Sequence, residues 1–400
     1  MASTVHSTTN KLALPNISYS PEEGDTLCEK LIDCYRQFTE NNSNNFLKSS
    51  IVKQSIFIST TNNSDYILRK QELLECAKDF FDELPPTSII AQAPDNGSLM
   101  VEFMCIEDVQ PNELTFRNND KASWLVIQRG DMMLLVAVGC SESDKLNDIM
   151  HQSNNAFEQL QYILAEEDMD FSDIIRQWNY IEQITGSIQQ NHSTSQHYQI
   201  FNDVRSKYYR QSSFLNGFPA ATGIGMDFGG IIIDIIAAKF GNKESIVPIK
   251  SPVQIDAYSY TKEVLAENNS MKNFSRTTPK FERAKMILTP GNKSIFISGT
   301  AAIVGQASII HDSVEHQTEM TIQNILGLIS TENLQEHGIS TIEMACINYL
   351  RVYVKFANDI EQVRSICMKY FPRLPICFVV ADICRPELLV EIEGQAVLNN

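Results

Sequence analysis

The sequence predicts an α+β fold made of two similar halves, each a mixed β-sheet covered by helices on one face. Residues 124–238 and 294–392 show the same order of extended and amphipathic helical segments. Strands that alternate with helices of this length are typical of sheets with helices on one face. With 400 residues, 43% of them hydrophobic, the chain is long enough to bury a sizeable core.

In the first half, the predicted order is hairpin, helix, strand, helix, strand, strand. Two β-rich runs on either side of Gly130 indicate the hairpin, and apolar residues at helical spacing indicate the helix after it. The segments are the hairpin at 124–138, helices around 157–164 and at 198–210, and strands at 178–181, 220–225 and 231–238.

The second half repeats this order, which suggests an old duplication. Its segments are strands at 294–303, 350–354, 377–383 and 389–392, and helices around 322–329 and at 360–370. Gly241 and Pro248 indicate a joint, so we predict an N-terminal domain at 1–245 and a C-terminal domain at 246–400. We expect the ligand site in a cleft between the halves. Residues 1–25 are polar and expected to be loose or wrapped along another surface, and no function is predicted for residues 1–100.

Composition excludes several classes of function. A formal charge of −17 disfavours broad contact with nucleic acid or anionic lipid, since both need a positive surface. No apolar run approaches the roughly 18 to 20 residues of a membrane span, and no secretory signal is evident, so we expect a cytoplasmic protein. The nine scattered cysteines lack a C-x-x-C pair and are expected to be reduced thiols without a zinc site.

Several short strings stand out over roughly residues 120–396: Trp178-Asn179-Tyr180, Tyr198-x-x-Phe201 with Arg205, residues 219–225, Phe281-x-Arg283-Ala284, residues 296–301 with Gly305, Gln317-x-Glu319 with Asn324, and residues 389–394. Together they resemble the chorismatase family, in family order. The C-terminal strings also occur in the wider RidA/YjgF group, whereas the N-terminal strings narrow the resemblance to chorismatases. The resemblance implies two RidA/YjgF-like (chorismate mutase-like) halves around one active site, with chorismate as substrate and no metal or redox cofactor.

The resemblance also implies that Glu391 is the general acid. Protonating the enolpyruvyl methylene of chorismate would make an oxocarbenium ion and a labile ether bond, which requires a carboxylic acid that stays neutral near neutral pH. Strand alternation puts Glu391 and Glu393 on one face, and two adjacent carboxylates raise the pKa of one of them. From the residues alone, a solvated pair of glutamates on an edge strand is the alternative.

Chorismate carries two carboxylates, so a site in so acidic a chain needs locally placed cations. A guanidinium matches a carboxylate with two parallel hydrogen bonds. The predicted substrate-binding residues are Arg205 and Arg283 for the carboxylates, Tyr198 and Tyr260 for phenolic hydrogen bonds, and Thr222 and Gly223 for a hydroxyl and a backbone N–H. A structural role for the arginines and simple packing for the tyrosines are the alternatives.

Within the family, the resemblance implies that a Gly and a Cys mark the subtype that makes 3-hydroxybenzoate, and here these are Gly299 and Cys384. Gly299 would remove a methyl group from the cleft and let the substrate or intermediate sit deeper, and Cys384 would add a soft, weakly acidic thiol near it. Two departures leave the product ratio open: Gln306 stands where family members often carry His, and the segment between residues 260 and 281 is long. Ala221 replaces the arginine that RidA/YjgF imine deaminases use, which counts against deamination.

These observations predict a chorismatase that makes 3-hydroxybenzoate and pyruvate, with Glu391, Cys384 and Gly299 as catalytic residues. The first alternative is a chorismatase that gives mixed 3- and 4-hydroxybenzoate or hydrolyses chorismate to a dihydrodiol. The second is a non-catalytic RidA-like protein that binds an aromatic or keto acid. Neither nucleic acid nor membrane is expected as a partner, and both a monomer and a homo-oligomer remain open.

Overall fold

The protein contains three units of one topology. A computed structural model describes residues 14–42, 46, 48–95, 97–119, 122–140, 148–190, 193–241, 246–261, 276–289, 292–310, 313–341 and 345–398. The N-terminal unit comprises β1 (Asn16–Tyr19), α1 (Leu27–Asn42), β2 (Ile51–Ile58), α2 (Asn63–Phe80), β3 (Thr87–Ile90) and β4 (Leu99–Cys105).

The middle and C-terminal units each contain a six-stranded mixed sheet. The middle unit comprises β5 (Leu114–Asn118), β6 (Ser123–Arg129), β7 (Met132–Cys140), α3 (Ile149–Glu166), β8 (Ile174–Glu182), β9 (Ser187–Gln190), β10 (Ser193–Gln196), α4 (His197–Tyr209), β11 (Ala220–Met226) and β12 (Ile231–Lys239). The C-terminal unit comprises β13 (Ile246–Ile249), β14 (Ala284–Thr289), β15 (Asn292–Ala301), β16 (Ile303–Val304), β17 (Ala307–Ser308), α5 (Val314–Leu328), α6 (Thr331–Glu336), β18 (Cys346–Val354), α7 (Ile360–Tyr370), β19 (Ile376–Val380) and β20 (Val390–Leu398).

The strand orders of these two sheets correspond element by element. The middle sheet runs β11-β8-β12-β7-β6-β5, and the C-terminal sheet runs β19-β18-β20-β15-β14-β13. In each, the two strands that flank a helix pair in parallel, as β8 does with β11 and β18 with β19. The predicted fold of two similar halves, each a mixed sheet with helices on one face, is therefore confirmed. The predicted domain boundary after residue 245 stays a prediction, since residues 242–245 lie outside the described part of the chain.

The N-terminal unit is a third, shorter copy, which the sequence patterns did not predict. Its strand order, β3-β2-β4-β1, matches the β11-β8-β12-β7 part of the middle sheet. Because one face of this sheet is covered by helices and the other by the neighbouring units, β2 is buried over its full length. Cys28 on α1 and Cys76 on α2 form a disulfide, so the expectation of reduced thiols is wrong for this pair.

The faces of the three sheets that carry no helices meet in the centre of the protein. Each unit places a buried carboxylate there, as the fourth residue of its last strand: Glu102 on β4, Asp234 on β12 and Glu393 on β20. Each carboxylate is contacted by the preceding unit. Lys53 Nζ lies 2.7 Å from Asp234, and Arg176 lies 2.7 Å from Glu393.

The third contact connects the C-terminal unit to the N-terminal unit, so that each unit contacts the other two. The Tyr349 hydroxyl of the C-terminal unit donates to Glu102 of the N-terminal unit. A hydroxyl from the preceding unit adds to two of the contacts, since Ser88 donates to Asp234 and Thr222 donates to Glu393. A buried charge is tolerated only when it is paired and hydrogen-bonded, so these contacts fix how the units face one another. In the described chain, no helix is both long and apolar enough to cross a bilayer.

Candidate active site

A cavity opens where the middle unit meets the C-terminal unit. Strand β11 lies at the edge of the middle sheet, and backbone hydrogen bonds connect this edge to the C-terminal unit. Gly225 N donates to Asp382 O at 2.8 Å, and Glu282 N donates to Pro219 O at 3.0 Å. The Ser298 hydroxyl joins the two units further by accepting from Ala221 N at 2.8 Å. These bonds hold β11 next to β15 and thereby position the walls of the cavity.

The cavity has a volume of about 340 Å³, within the range of roughly 300–1,000 Å³ usual for small-molecule sites. Seven of the nine predicted site residues line it: Tyr198, Gly223, Tyr260, Arg283, Gly299, Cys384 and Glu391. The expected cleft between two similar lobes is thus present, and it brings together residues that lie far apart in the chain.

Glu391 presents a carboxyl group to this cavity from the second position of β20. The residue is 5% exposed, and no hydrogen bond of its side chain is found among the described residues. Burial, followed by the charge of Glu393, raises the pKa of Glu391 to about 8, although Arg283 and Arg176 oppose the rise. Glu391 is therefore a largely neutral carboxylic acid near pH 7.

Glu393, two residues along the same strand, has the opposite environment. Its carboxylate accepts hydrogen bonds from Trp178 Nε1 at 2.9 Å and from Arg351 at 2.8 Å, besides those from Thr222 and Arg176. Burial alone would raise the pKa of Glu393, but the guanidinium groups of Arg351 and Arg176 outweigh burial and lower it. Glu393 is thus a fixed negative charge that helps to keep Glu391 protonated. The alternative of a solvated pair on an edge strand is wrong, because β20 lies between β15 and β18 and both glutamates are buried.

Gly299 makes room for the Glu391 carboxyl. A Cβ added at Gly299 would lie 2.0 Å from Glu391 Oε1 and 3.1 Å from the methyl carbon of Thr222. The space left by the missing side chain is therefore occupied by the acid itself. This differs from the sequence-based explanation, in which the missing methyl group left room for the substrate.

Arg283 lies beside the acid and is oriented by neutral groups. Its guanidinium donates to Ile255 O and to the Tyr260 hydroxyl, both at 2.7 Å. Its carbon Cζ lies 5.3 Å from the centre of the Phe281 ring. No ion pair of Arg283 is recorded in the described residues, and its buried Nε has no hydrogen-bond partner there. Arg283 is therefore a cation that is held in place by neutral groups and, among the described residues, has no carboxylate paired with it in a salt bridge.

Arg205 and Thr222 are not among the residues that line the cavity. Arg205 is 1% exposed and donates to Asn202, which does line the cavity. The Thr222 hydroxyl is already engaged, since it donates to Glu393 and accepts from Arg176 at 2.8 Å and from Gly299 N at 3.0 Å. The structure thus brings both residues next to the site but not to its surface.

Tyr198 and Cys384 form another part of the wall. Gly223 lies against Tyr198, since an added Cβ would be 2.9 Å from the Tyr198 ring. Burial raises the pKa of Tyr198, so its hydroxyl stays protonated. Burial and the neighbouring Glu391 raise the pKa of Cys384 to about 12. Cys384 therefore faces the site as a neutral thiol and not as a thiolate.

Two further arginines, Arg385 and Arg276, line the cavity although they were not predicted as site residues, and Gln306 lines it as well. Arg385 donates to Gln306 O and to the Ser308 hydroxyl, both at 3.0 Å, and its carbon Cζ lies 5.4 Å from the centre of the Tyr260 ring. The position of Arg385 directly after Cys384 was the available signal. Gln306, noted as a departure, lines the cavity, whereas most of the long segment before Phe281, residues 262–275, lies outside the described residues.

The lining favours an anionic organic ligand over a metal ion. Arginines and phenols supply hydrogen-bond donors, and the described residues contain no group of three or more His, Cys, Asp and Glu side chains that could hold a metal ion. A neutral acid between such donors can transfer a proton to a bound anion.

Comparisons with known proteins agree with this geometry. Residues 115–237 match the family described as "Chorismatase FkbO/Hyg5-like, N-terminal". A 3-hydroxybenzoate synthase from Streptomyces hygroscopicus is 32% identical over 238 residues, which cover 57% of this chain and 64% of that protein. A chorismatase from Streptomyces rapamycinicus is 36% identical over 180 residues, covering 44% of this chain and 50% of that protein. The matches thus span less than two thirds of either relative.

The fold extends the likeness to nearly the whole chain. A crystal structure of a chorismatase superposes with a TM-score of 0.67 at 20% sequence identity, covering 96% of this chain and 100% of that one. The predicted resemblance to chorismatases is confirmed: the chain has the fold of the chorismatase crystal structure, and residues 115–237 match the FkbO/Hyg5-like N-terminal family.

Proposed function

We propose that this chain is a chorismatase that converts chorismate into 3-hydroxybenzoate and pyruvate. The observation that carries the proposal is the Glu391 carboxyl, buried and largely neutral, on a cavity with arginine side chains in its wall. The relatives named 3-hydroxybenzoate synthase and chorismatase support the choice of substrate, although each match covers only part of the relative.

In the proposed reaction, Glu391 protonates the methylene carbon of the enolpyruvyl group. The resulting oxocarbenium ion weakens the ether bond to the ring, and pyruvate leaves when that bond breaks. Because 3-hydroxybenzoate carries its hydroxyl on the former ether carbon, the hydroxyl of the neighbouring ring carbon attacks that carbon as pyruvate leaves, and it gives up its proton as an epoxide forms. The epoxide then opens by breaking its bond to the carbon that first carried the hydroxyl, and its oxygen takes up a proton. The former ether carbon loses its hydrogen as a proton, so the ring becomes aromatic and no net water is consumed. A carboxylic acid whose pKa lies near the working pH suits this role, because it is both protonated and able to release its proton.

The two carboxylates of chorismate require two cationic positions. Arg283 binds one of them, since its guanidinium is close to Glu391 and has no carboxylate partner of its own among the described residues. For the second we favour Arg385 over Arg205, because Arg385 lines the cavity and Arg205 does not. Arg205 then acts as a positioning residue through its hydrogen bond to Asn202. Tyr198 and Tyr260 add phenolic hydrogen bonds to the substrate.

Gly299 and Cys384 direct the product. With glycine at position 299, the Glu391 carboxyl can occupy the space that a methyl group would fill. Cys384 presents a neutral thiol next to the acid, where the family resemblance implies a role in making 3-hydroxybenzoate. The hydrolytic route to a dihydrodiol is the second candidate, because Gln306, whose amide is oriented by two hydrogen bonds with Thr261, lines the cavity and its second N–H can still donate to a water molecule.

We further propose that the site is complete within one chain. Its walls come from the middle and C-terminal units, and the N-terminal unit occupies the third position around the centre, so an additional subunit is not needed. A cytoplasmic location is proposed as well, although the Cys28–Cys76 disulfide is a feature more usual in oxidising compartments.

The purified full-length protein should release pyruvate from chorismate and form 3-hydroxybenzoate as the main aromatic product. Pyruvate is measured with a coupled lactate dehydrogenase assay, and the aromatic products are resolved by liquid chromatography. Glu391→Gln serves as the control for spontaneous decay of chorismate. A dihydrodiol as the main product would favour the hydrolytic alternative. Absence of pyruvate above the level of the control would favour the non-catalytic binding protein and overturn the proposal.

A further inference from the structure

A second cavity lies next to the candidate active site and belongs to no step of the proposed reaction. It has a volume of about 620 Å³ and is lined by Ser206, Tyr209, Arg210, Phe214, Phe218 and Lys280, among others. Helix α4 connects the two cavities: its residues Tyr198 and Asn202 line the first, and Ser206 and Tyr209 line the second. Arg276 lines both.

Aromatic rings form part of the wall of the second cavity. The rings of Tyr209, Phe214 and Phe218 contact one another, with centroids 4.8 Å apart for Tyr209 and Phe214 and 4.7 Å apart for Phe214 and Phe218. Tyr209 and Phe218 lie nearly parallel, at an interplanar angle of 12°. Such a wall can stack against a planar aromatic ligand.

Cationic side chains also line this cavity, in a chain whose formal charge is −17. Arg210 and Lys280 line the cavity, and neither forms an ion pair with another described residue. Lys280 Nζ donates to the Thr278 hydroxyl at 2.8 Å and lies 5.8 Å from the Phe218 ring centroid. The nearby carboxylate of Asp203 already accepts from Thr277 N at 3.0 Å and from Gln199 at 2.9 Å. The two cations are therefore available to an anion.

A buried hydroxyl adds a third type of contact. Ser206 is 3% exposed, and its Oγ has no hydrogen-bond partner among the described residues. An unsatisfied buried polar group is costly, and ligand binding is one way to satisfy it. Cations, a hydroxyl and an aromatic wall around one space are complementary to a small aromatic carboxylate.

We propose that this second cavity is a binding site for a small aromatic carboxylate, separate from the catalytic cavity. The carboxylate lies between Arg210 and Lys280, the ring stacks on the Phe214 and Phe218 side, and Ser206 donates a hydrogen bond. The proposed reaction product belongs to this chemical class, so the site offers a place where product is held after release. Binding there does not require turnover.

The test is an equilibrium titration of the full-length protein with benzoate by isothermal calorimetry, without chorismate. Benzamide is the neutral probe of the same shape, and cyclohexanecarboxylate is the anionic probe without an aromatic ring. Benzoate should bind, and both other probes should bind about tenfold more weakly or less, since each lacks one of the two recognised features.

Variants show whether benzoate binds in the second cavity or in the catalytic cavity. The double variant Arg210→Ala/Lys280→Ala should weaken benzoate binding about tenfold or more, and the milder Ser206→Ala should weaken it without altering the wall. Lys207→Ala, an exposed cation on the same helix, is the matched control and should bind as the unmodified protein does. Arg283→Gln, in the catalytic cavity, should also leave this binding unchanged. The proposal fails if benzoate does not bind, or if binding is lost in Arg283→Gln but kept in both the double variant and Ser206→Ala.

Discussion

The interface between the N-terminal and middle units and the interface between the middle and C-terminal units are built on the same plan, yet only the second carries a candidate acid. Asp234 and Glu393 occupy equivalent positions, and both are paired with a cation from the preceding unit. Two residues earlier on the strand, however, the first interface has Ile232 and the second has Glu391. Ile232 is 2% exposed and packs in the central hydrophobic core.

The third interface, between the C-terminal and N-terminal units, resembles the first in having an apolar residue at this position. There, Met100 stands two residues before Glu102, and it is also part of the central core. The buried carboxylate that occurs in each of the three units therefore serves to orient the units relative to one another. Catalysis requires a second carboxyl beside it, which the charge of the first keeps protonated. Variants at equivalent positions of the interfaces test this difference.

The largest effect is expected from Glu391→Gln. Removing the acid should lower kcat by about 10²–10⁴-fold, the usual contribution of a general acid, while the fold is kept because glutamine has nearly the same volume. The control is Ile232→Val at the equivalent position of the first interface, which should leave kcat unchanged. The measurement is initial-rate kinetics of pyruvate release from chorismate. Full turnover by Glu391→Gln would contradict the assignment of the acid.

A second pair of variants distinguishes the role of the buried carboxylates in orienting the units from the effect of Glu393 on the pKa of Glu391. Glu393→Gln and Asp234→Asn each leave a buried cation unpaired, so both should lower the free energy of unfolding by about 3–5 kcal/mol, as measured by chemical denaturation. Only Glu393→Gln removes the charge that helps to hold the pKa of Glu391 near 8.

The pH dependence of kcat/KM in the same two variants shows whether Glu393 acts on the pKa of Glu391. In the unmodified protein, kcat/KM should fall as the pH rises through about 8, because Glu391 then loses the proton it must donate. In Glu393→Gln this fall should begin at lower pH, whereas in Asp234→Asn it should stay in place. An equal displacement in both variants would contradict a local effect of Glu393.

A smaller effect is expected from Gly299→Ala. The added methyl group would meet Glu391 Oε1 at 2.0 Å, so the carboxyl must move. We expect the product mixture to change by about tenfold toward the dihydrodiol, which corresponds to roughly 1.4 kcal/mol between competing barriers. Gly327→Ala is the matched control, since its added Cβ would meet only Pro252, at 3.9 Å. Chromatography of the products measures the change, and an unaltered ratio in Gly299→Ala would argue against steering by this position.

Much of the middle and C-terminal units could be predicted from local patterns. The hairpin around Gly130 and the helix Ile360–Tyr370 are in the predicted places, since alternation and helical spacing of apolar residues report directly on burial of one face. The N-terminal unit was missed because β2 and β4 are buried on both faces and show no alternation. The pattern that marks all three units is an acid preceded by an apolar residue in the last strand, as in Ile233-Asp234.

The candidate site was predicted only in part, for a physical reason. Glu391 and Arg283 belong to strings that resemble a family, and both line the cavity. Arg205 belongs to such a string too, but the packing of α4 turns it away from the cavity surface, which no local pattern reports. The role of Gly299 depends on how close β15 brings it to Glu391 across the sheet, and a distance of that kind is a property of tertiary structure.

The most direct test of the central claim is the protonation state of Glu391 itself. Difference infrared spectroscopy between the unmodified protein and Glu391→Gln isolates the carbonyl band of a protonated carboxyl group. At pH 7 that band should be present in the unmodified protein, and it should disappear with a midpoint near pH 8 as the group ionises. If the difference spectrum at pH 7 contains only the bands of a carboxylate, Glu391 is ionised, and the account of it as a neutral acid is wrong.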